Sequence, residues 1–165
     1  MDYVKERGLT LKEAFILLLS SWFGVGRLPL APGTWGTLGA VPLVLIISYF
    51  GPIPAVISLA VIILLAVWTS DISQKVLGKD DPPEVVIDEV AGYFVAVFLL
   101  PFSWWSFILG FLLFRIFDIL KPFPIRMIHK KVKGGIGICL DDIVAGVYAN
   151  VCIRLVHLFV KLLNS

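Results

Sequence analysis

LPLAPGTWGTLGAVPLVLIISYFGPIPAVISLAVIILLAVWTS, residues 28–70, decides the class of fold. Its 43 residues contain no Asp, Glu, Lys, Arg or His. A helix crosses a bilayer with about 20 apolar residues, so the stretch has room for two helices. Gly51-Pro52 supplies the turn between them. A second uncharged run of 25 residues lies between Glu89 and Arg115, with Pro101-Phe102-Ser103 as its turn. The whole chain agrees: of its 165 residues 59% are hydrophobic and 16% charged, and mean hydropathy is +0.96. Soluble domains run nearer ~45–50% and ~25%, and a small soluble core has no room for the excess. The expected fold is therefore all-α, a polytopic helical membrane protein. Four helices should span, a fifth is a candidate, and the short polar loops should gather on one face.

Helices are expected over 36–50, 53–70, 88–100 and 104–120. A short one over 11–23 is too brief to span and suits the interface, with Lys12 and Glu13 in water. Residues 24–36 read as a Gly/Pro-rich loop, and 71–87 as a polar loop entered by a helix end. Lys121-Pro122-Phe123-Pro124 stops the fourth helix, because a residue before proline avoids the helical region. Residues 125–133 are basic, and GGIGI (134–138) reads as a loop. A last helix over about 141–163 carries Asn150, Arg154, His157 and Lys161 on one stripe. That stripe either packs inward or holds the helix at the interface. The chain reads as one membrane-embedded domain, 1–165: an N-terminal interfacial part (1–22), a motif-bearing core (23–151) and a helix end (152–165). The N-terminus mixes Asp2, Lys5, Glu6, Arg7, Lys12 and Glu13 with no clean cleavage site, so no secretory leader is expected. Cys139 and Cys152 lack metal-ligand spacing and read as small buried hydrophobes. A net charge of +2 without a long basic run gives no reason to expect nucleic acid.

Topology then gathers the charges. Each two-helix hairpin returns the chain to the side it left. Arg27, the 71–89 segment, Arg115, Asp118, Lys121 and Asp141-Asp142 should share one face. Residues 115–133 hold six Lys/Arg against one Asp, which makes that face cytoplasmic. Several of these charges interrupt apolar sequence, where an unpartnered charge costs about 2.5–3.5 kcal/mol. Arg115, Asp118 and Lys121 recur every three residues on one helical face; an ion pair steadying the helix explains them equally well when they are taken alone. The acidic pairs weigh towards a site. Asp88-Glu89 and Asp141-Asp142 each read as opening a helix, and each precedes Ala-Gly, which lets helices approach closely. Capping is the plain reading of one such pair; two together suggest carboxylates that converge on a cation. Oxygen ligands without His or Cys favour Mg²⁺ or Mn²⁺ over Zn²⁺. His129 and His157 read as surface or interface residues. With Arg27, Arg115, Lys121 and Arg126 nearby, the natural partner of such a cation is a phosphate. Gly33, Thr34, Gly36 and Thr37, in a Gly-rich turn entering a helix, would offer it backbone N–H groups and hydroxyls.

APGTWG (31–36), VIDEVAG (86–92), FRIFDILKPFPI (114–125) and GGIGICLDDIVAG (134–146) occur in the order and spacing of a known family. From about Phe23 to Val151 the chain resembles the phosphatidylglycerophosphatase A family. The resemblance implies a Mg²⁺-dependent, multi-pass enzyme of the bacterial inner membrane with its active site towards the cytoplasm. It would hydrolyse phosphatidylglycerophosphate to phosphatidylglycerol and inorganic phosphate. Its partner would be the phospholipid in the membrane, with no obligate protein partner. Carried over by motif, the acidic positions are Asp88, Glu89, Asp118, Asp141 and Asp142, and the basic ones Arg115 and Lys121. Asp88, Glu89, Asp141 and Asp142 are candidate metal ligands; Asp118, Arg115, Lys121 and Asp142 are candidate catalytic residues. The DxDx[TV] motif of aspartate-nucleophile phosphatases is absent, as are the PSGH-like motif of histidine-nucleophile lipid phosphatases and the DGxxAR pattern of CDP-alcohol transferases. Two rivals belong to other classes: a small transporter or channel with carboxylates along its path, and a non-catalytic lipid-binding protein. The first would spread charge through the bilayer depth, and the second would tolerate loss of its charges.

Overall fold

A computed structural model describes residues 8–164; the charges at Asp2, Lys5, Glu6 and Arg7 lie outside them. The described residues form seven α-helices and no strand: α1 Leu11–Ser20, α2 Pro32–Tyr49, α3 Pro52–Leu77, α4 Ile87–Val97, α5 Trp104–Leu120, α6 Ile125–Lys131 and α7 Gly134–Leu163. A 3₁₀ turn, Val25–Arg27, precedes α2. Three helices are long and apolar enough to cross a membrane: α2, α3 and α7.

Local chemistry fixes the ends. Thr10 and Glu13 form a capping box at the start of α1, each meeting a backbone N–H that a helix start leaves unpaired. α1 stops at Ser20, short of the expected 23. α2 begins four residues earlier than expected, with Pro32 in its first turn, where a missing N–H costs nothing. α3 runs on to Leu77 rather than ending near 70. Asp71 and Lys75 pair one turn apart at 2.6 Å, and Gly78 closes the helix at a positive φ of 66°, where glycine carries no Cβ penalty.

α4 departs further from expectation. It has 11 residues, not 13, and at 1.5 Å per residue it is about 16 Å long, half a hydrocarbon core. It is also the most enclosed helix: Val90, Ala91, Tyr93, Phe94 and Ala96 are fully buried. Its early end leaves carbonyls without intrahelical partners. Asn150 of α7 donates its amide to the carbonyls of Val95, Ala96 and Phe98 at 3.0–3.1 Å. Arg154 donates to Phe98 and Leu99. The polar stripe of α7 thus packs inward at Asn150 and Arg154, because α4 needs donors there.

α2 and α3 form one hairpin, and α4 and α5 another. At one end of the molecule the turns meet, with Tyr49 stacked edge-on against Phe102 at 6.2 Å. The carboxylates of the second hairpin and of α7, with Arg115 and Lys121, collect at the other end; Arg154 stays at the turn end. Side chains such as Ile57, Leu64, Trp104, Trp105, Leu155 and Phe159 are exposed along the outside. An apolar exterior around a packed helical core suits a lipid solvent.

Candidate active site

α4 and α7 cross where both are thinnest. A Cβ on Gly92 would lie 2.8 Å from the Asp142 carbonyl oxygen, and a Cβ on Gly146 would strike the Gly92 carbonyl. Asp88 stands one turn before Gly92, and Asp142 one turn before Gly146. The close crossing therefore brings their carboxylates together. Asp88, Glu89 and Asp142 each offer an oxygen within 4.8 Å of the others. Asp88 and Asp142 are buried.

These carboxylates line a cavity of about 190 Å³ with Gly33, Asp81, Asp118, Lys121 and Asp141. Buried oxygens of Asp88 (Oδ1), Glu89 (Oε2), Asp141 (Oδ1) and Asp142 (Oδ2) have no hydrogen-bond partner. Burying several acidic oxygens unpaired is costly, and an all-oxygen donor set of this kind fits a hard divalent cation.

Two cations flank the cluster. Arg115 Nη1 lies 2.8 Å from Asp118 Oδ2 and 3.9 Å from Glu89 Oε1. Lys121 pairs with Asp141 Oδ2. His129 Nδ1 approaches the same oxygen at 2.9 Å. Burial works against the Lys121 charge, but its hydrogen bond to Asp141 and the neighbouring carboxylates outweigh burial, so its pKa is raised. At the rim, desolvation and then the Asp141 charge raise the carboxyl of Asp81. Lys121 sits at a positive φ of 43°, and Leu30 and Ala31, just before the cavity wall at Pro32-Gly33, are also left-handed. Such backbone costs about 1–3 kcal/mol per residue and persists only where its surroundings hold it.

The expected residues divide accordingly. Asp88, Glu89, Asp118, Lys121, Asp141, Asp142 and Gly33 line the cavity, and Arg115 adjoins it. Asp141 is engaged by Lys121 and His129, apart from the three-carboxylate cluster. Asp141-Asp142 do not open a helix and GGIGI is not a loop: α7 starts at Gly134, so the pair sits two turns inside. Arg27 lines a separate crevice with Ser20, Ser21 and Glu84. Arg126 faces a neighbouring groove. Thr37 is buried, and its hydroxyl donates to the Gly33 carbonyl at 2.8 Å, which leaves it no proton for a ligand. Gly36 packs on Val86, which a Cβ would meet at 2.6 Å. Thr34 is half-buried and does not line the cavity. His129 is exposed, as the sequence reading expects, and it also reaches Asp141. Its place follows from α6 folding back on α7, which no local spacing announces.

Sequence comparison gives the family. Residues 18–157 match the family described as phosphatidylglycerophosphatase A, and the chain belongs to that family. It is 39% identical over 140 residues to the Haemophilus influenzae protein named phosphatidylglycerophosphatase A, covering 84% of this chain and 86% of that one. The Escherichia coli protein of the same name is 37% identical over 134 residues, covering 79% and 76%. A Bacteroides thetaiotaomicron protein provisionally named phosphatidylinositol-3-phosphatase is 34% identical over 145 residues, covering 83% and 90%. No solved structure matches.

Proposed function

We propose that this chain is a lipid phosphatase that hydrolyses phosphatidylglycerophosphate to phosphatidylglycerol and inorganic phosphate, with Mg²⁺ as cofactor, in the bacterial inner membrane. Family membership supports the reaction class. The observation that carries the chemistry is the cavity of unpaired carboxylate oxygens, with Lys121 on its wall and Arg115 beside it.

Asp88, Glu89 and Asp142 would hold the Mg²⁺, which supplies charge neutralisation at a phosphoryl oxygen. Arg115, held by Asp118, turns its guanidinium towards the remaining phosphoryl oxygens. Water adds to phosphorus and the bond from phosphorus to the glycerol oxygen breaks. The water's proton passes to a cavity carboxylate, which hands it on to the departing glycerol oxygen, so that the glycerol leaves as a hydroxyl and no net proton is consumed. Lys121, fixed on Asp141 at the rim, faces the leaving oxygen and offsets its growing negative charge. His129 Nδ1 lies 3.1 Å from Lys121 Nζ and meets the same Asp141 oxygen, so it braces the Lys121–Asp141 pair.

The reading includes five passes. α2, α3, α5 and α7 cross, and α4 crosses with the help of residues 98–103, which complete its path. The active site then lies on the cytoplasmic face with the basic 121–133 segment, as the positive-inside rule requires. A transporter is less favoured because the carboxylates cluster at one end rather than along a path.

The test is phosphate release from phosphatidylglycerophosphate by the purified chain in detergent, with phosphatidic acid beside it. Release that stops with EDTA and returns with Mg²⁺ is expected. Equal release in EDTA would remove the metal from the reading, and no release from either lipid by folded protein would remove the phosphatase.

A further inference from the structure

A wider groove of about 560 Å³ adjoins the carboxylate cavity. Lys121, Phe123, Arg126, Met127, Lys130 and Lys131 are among its lining residues, and among the described residues no carboxylate lines it. Lys121 lines both spaces, so they adjoin at this residue. The groove is built by the two-sidedness of α6. Ile125 is buried and His129, one turn on, reaches Asp141. Arg126 and Lys130, also one turn apart, turn outward beside Met127 and Lys131. Phe123 is 78% and Leu120 71% exposed at the groove. Cations beside exposed apolar side chains are what a phosphate attached to acyl chains requires.

We infer that this groove is a second phosphate subsite, which takes the phosphodiester of the same lipid whose terminal phosphomonoester enters the carboxylate cavity. The inference rests on the reading of the substrate given above. Phosphatidylglycerophosphate carries two phosphates in series, separated by one glycerol. The order of sites matches the order of groups: the acidic, cation-competent cavity for the phosphomonoester, Lys121 at the bridging glycerol oxygen, then Arg126 and Lys130 at the phosphodiester, with Phe123 and Met127 against the start of the acyl chains. A lipid with a single phosphate, such as phosphatidic acid, fills one site and leaves the other unused. Arg126 and Lys130 are thus specificity-determining residues.

The test is lipid binding by the full chain in detergent with EDTA, read by native mass spectrometry. The probes are phosphatidylglycerophosphate and phosphatidic acid of identical acyl chains. Wild type is expected to prefer the two-phosphate lipid by about tenfold, the size of one charge-assisted contact set. Arg126→Gln with Lys130→Gln should bring the preference to within about twofold, with phosphatidic acid bound as before. Both side chains are exposed, and circular dichroism checks that the variant folds. An equal loss for both lipids would overturn the inference in favour of general attraction to anionic lipid; an unchanged preference would overturn it outright. Phosphate release is measured separately. A wild type that keeps the preference but releases no phosphate counts against the phosphatase reading alone, whereas turnover without any preference counts against the groove alone.

Discussion

Asp142 and Asp118 look alike in the sequence, each a carboxylate in apolar surroundings, yet the structure gives them different partners. Asp142 points an unpaired buried oxygen into the cluster with Asp88 and Glu89, whereas Asp118 spends an oxygen on Arg115. Asp142→Asn should therefore lower turnover at least as far as loss of a main electrostatic stabiliser, about 10²–10³-fold. Asp118→Asn, which only loosens a positioned group, should cost about 10–100-fold. Steady-state kinetics of folded variants check the order, and a larger loss at Asp118 would reverse the assignment. The acidic set and its Arg and Lys partners were legible because charge inside apolar sequence is costly and so marks itself. Thr37 and His129 were not. A threonine hydroxyl can satisfy its own helix as readily as a ligand, and a histidine's partner depends on where another helix lies.

At the scale of elements, the site depends on how closely α4 and α7 approach. Gly146→Val should push the helices apart, since even a Cβ there meets the Gly92 carbonyl. Activity should fall to background while the helical circular dichroism signal persists; retained activity would show that the crossing is not what assembles the carboxylates. The far end of α4 makes a separate prediction. Asn150→Leu takes the amide donor from three carbonyls; Val95 keeps the Phe98 N–H and Phe98 keeps Arg154, so the cost falls on Ala96, at about 1–3 kcal/mol for an unsatisfied buried group. The thermal midpoint in detergent should drop, with turnover of the folded protein little changed. The sequence showed the Ala-Gly pairs and the polar stripe on α7. It could not show that α4 ends early, because periodicity reports which residues are apolar and not where a helix finds outside donors.

For the whole molecule, two hairpins and a long final helix place the carboxylate cluster at one end and the aromatic turns at the other. The proposed five passes would put the C-terminus across the membrane from the site. Alkaline phosphatase fused after Ser165 should be active in the periplasm, and the same reporter fused after Gly78 should be inactive. Activity at both points, or at neither, would reject the topology. The long uncharged runs, the turn at Gly51-Pro52 and the gathering of acidic and basic residues on one face were fixed by composition and order alone, since apolar length and charge are local quantities that the solvent sorts. Tertiary packing alone decided which carboxylates share a cation-sized space, that Arg27 and Thr37 stand apart from it, that His129 joins Asp141, and that a basic groove adjoins the carboxylate cavity at Lys121. Those are distances between helices remote in sequence, set by how closely glycine lets two backbones approach.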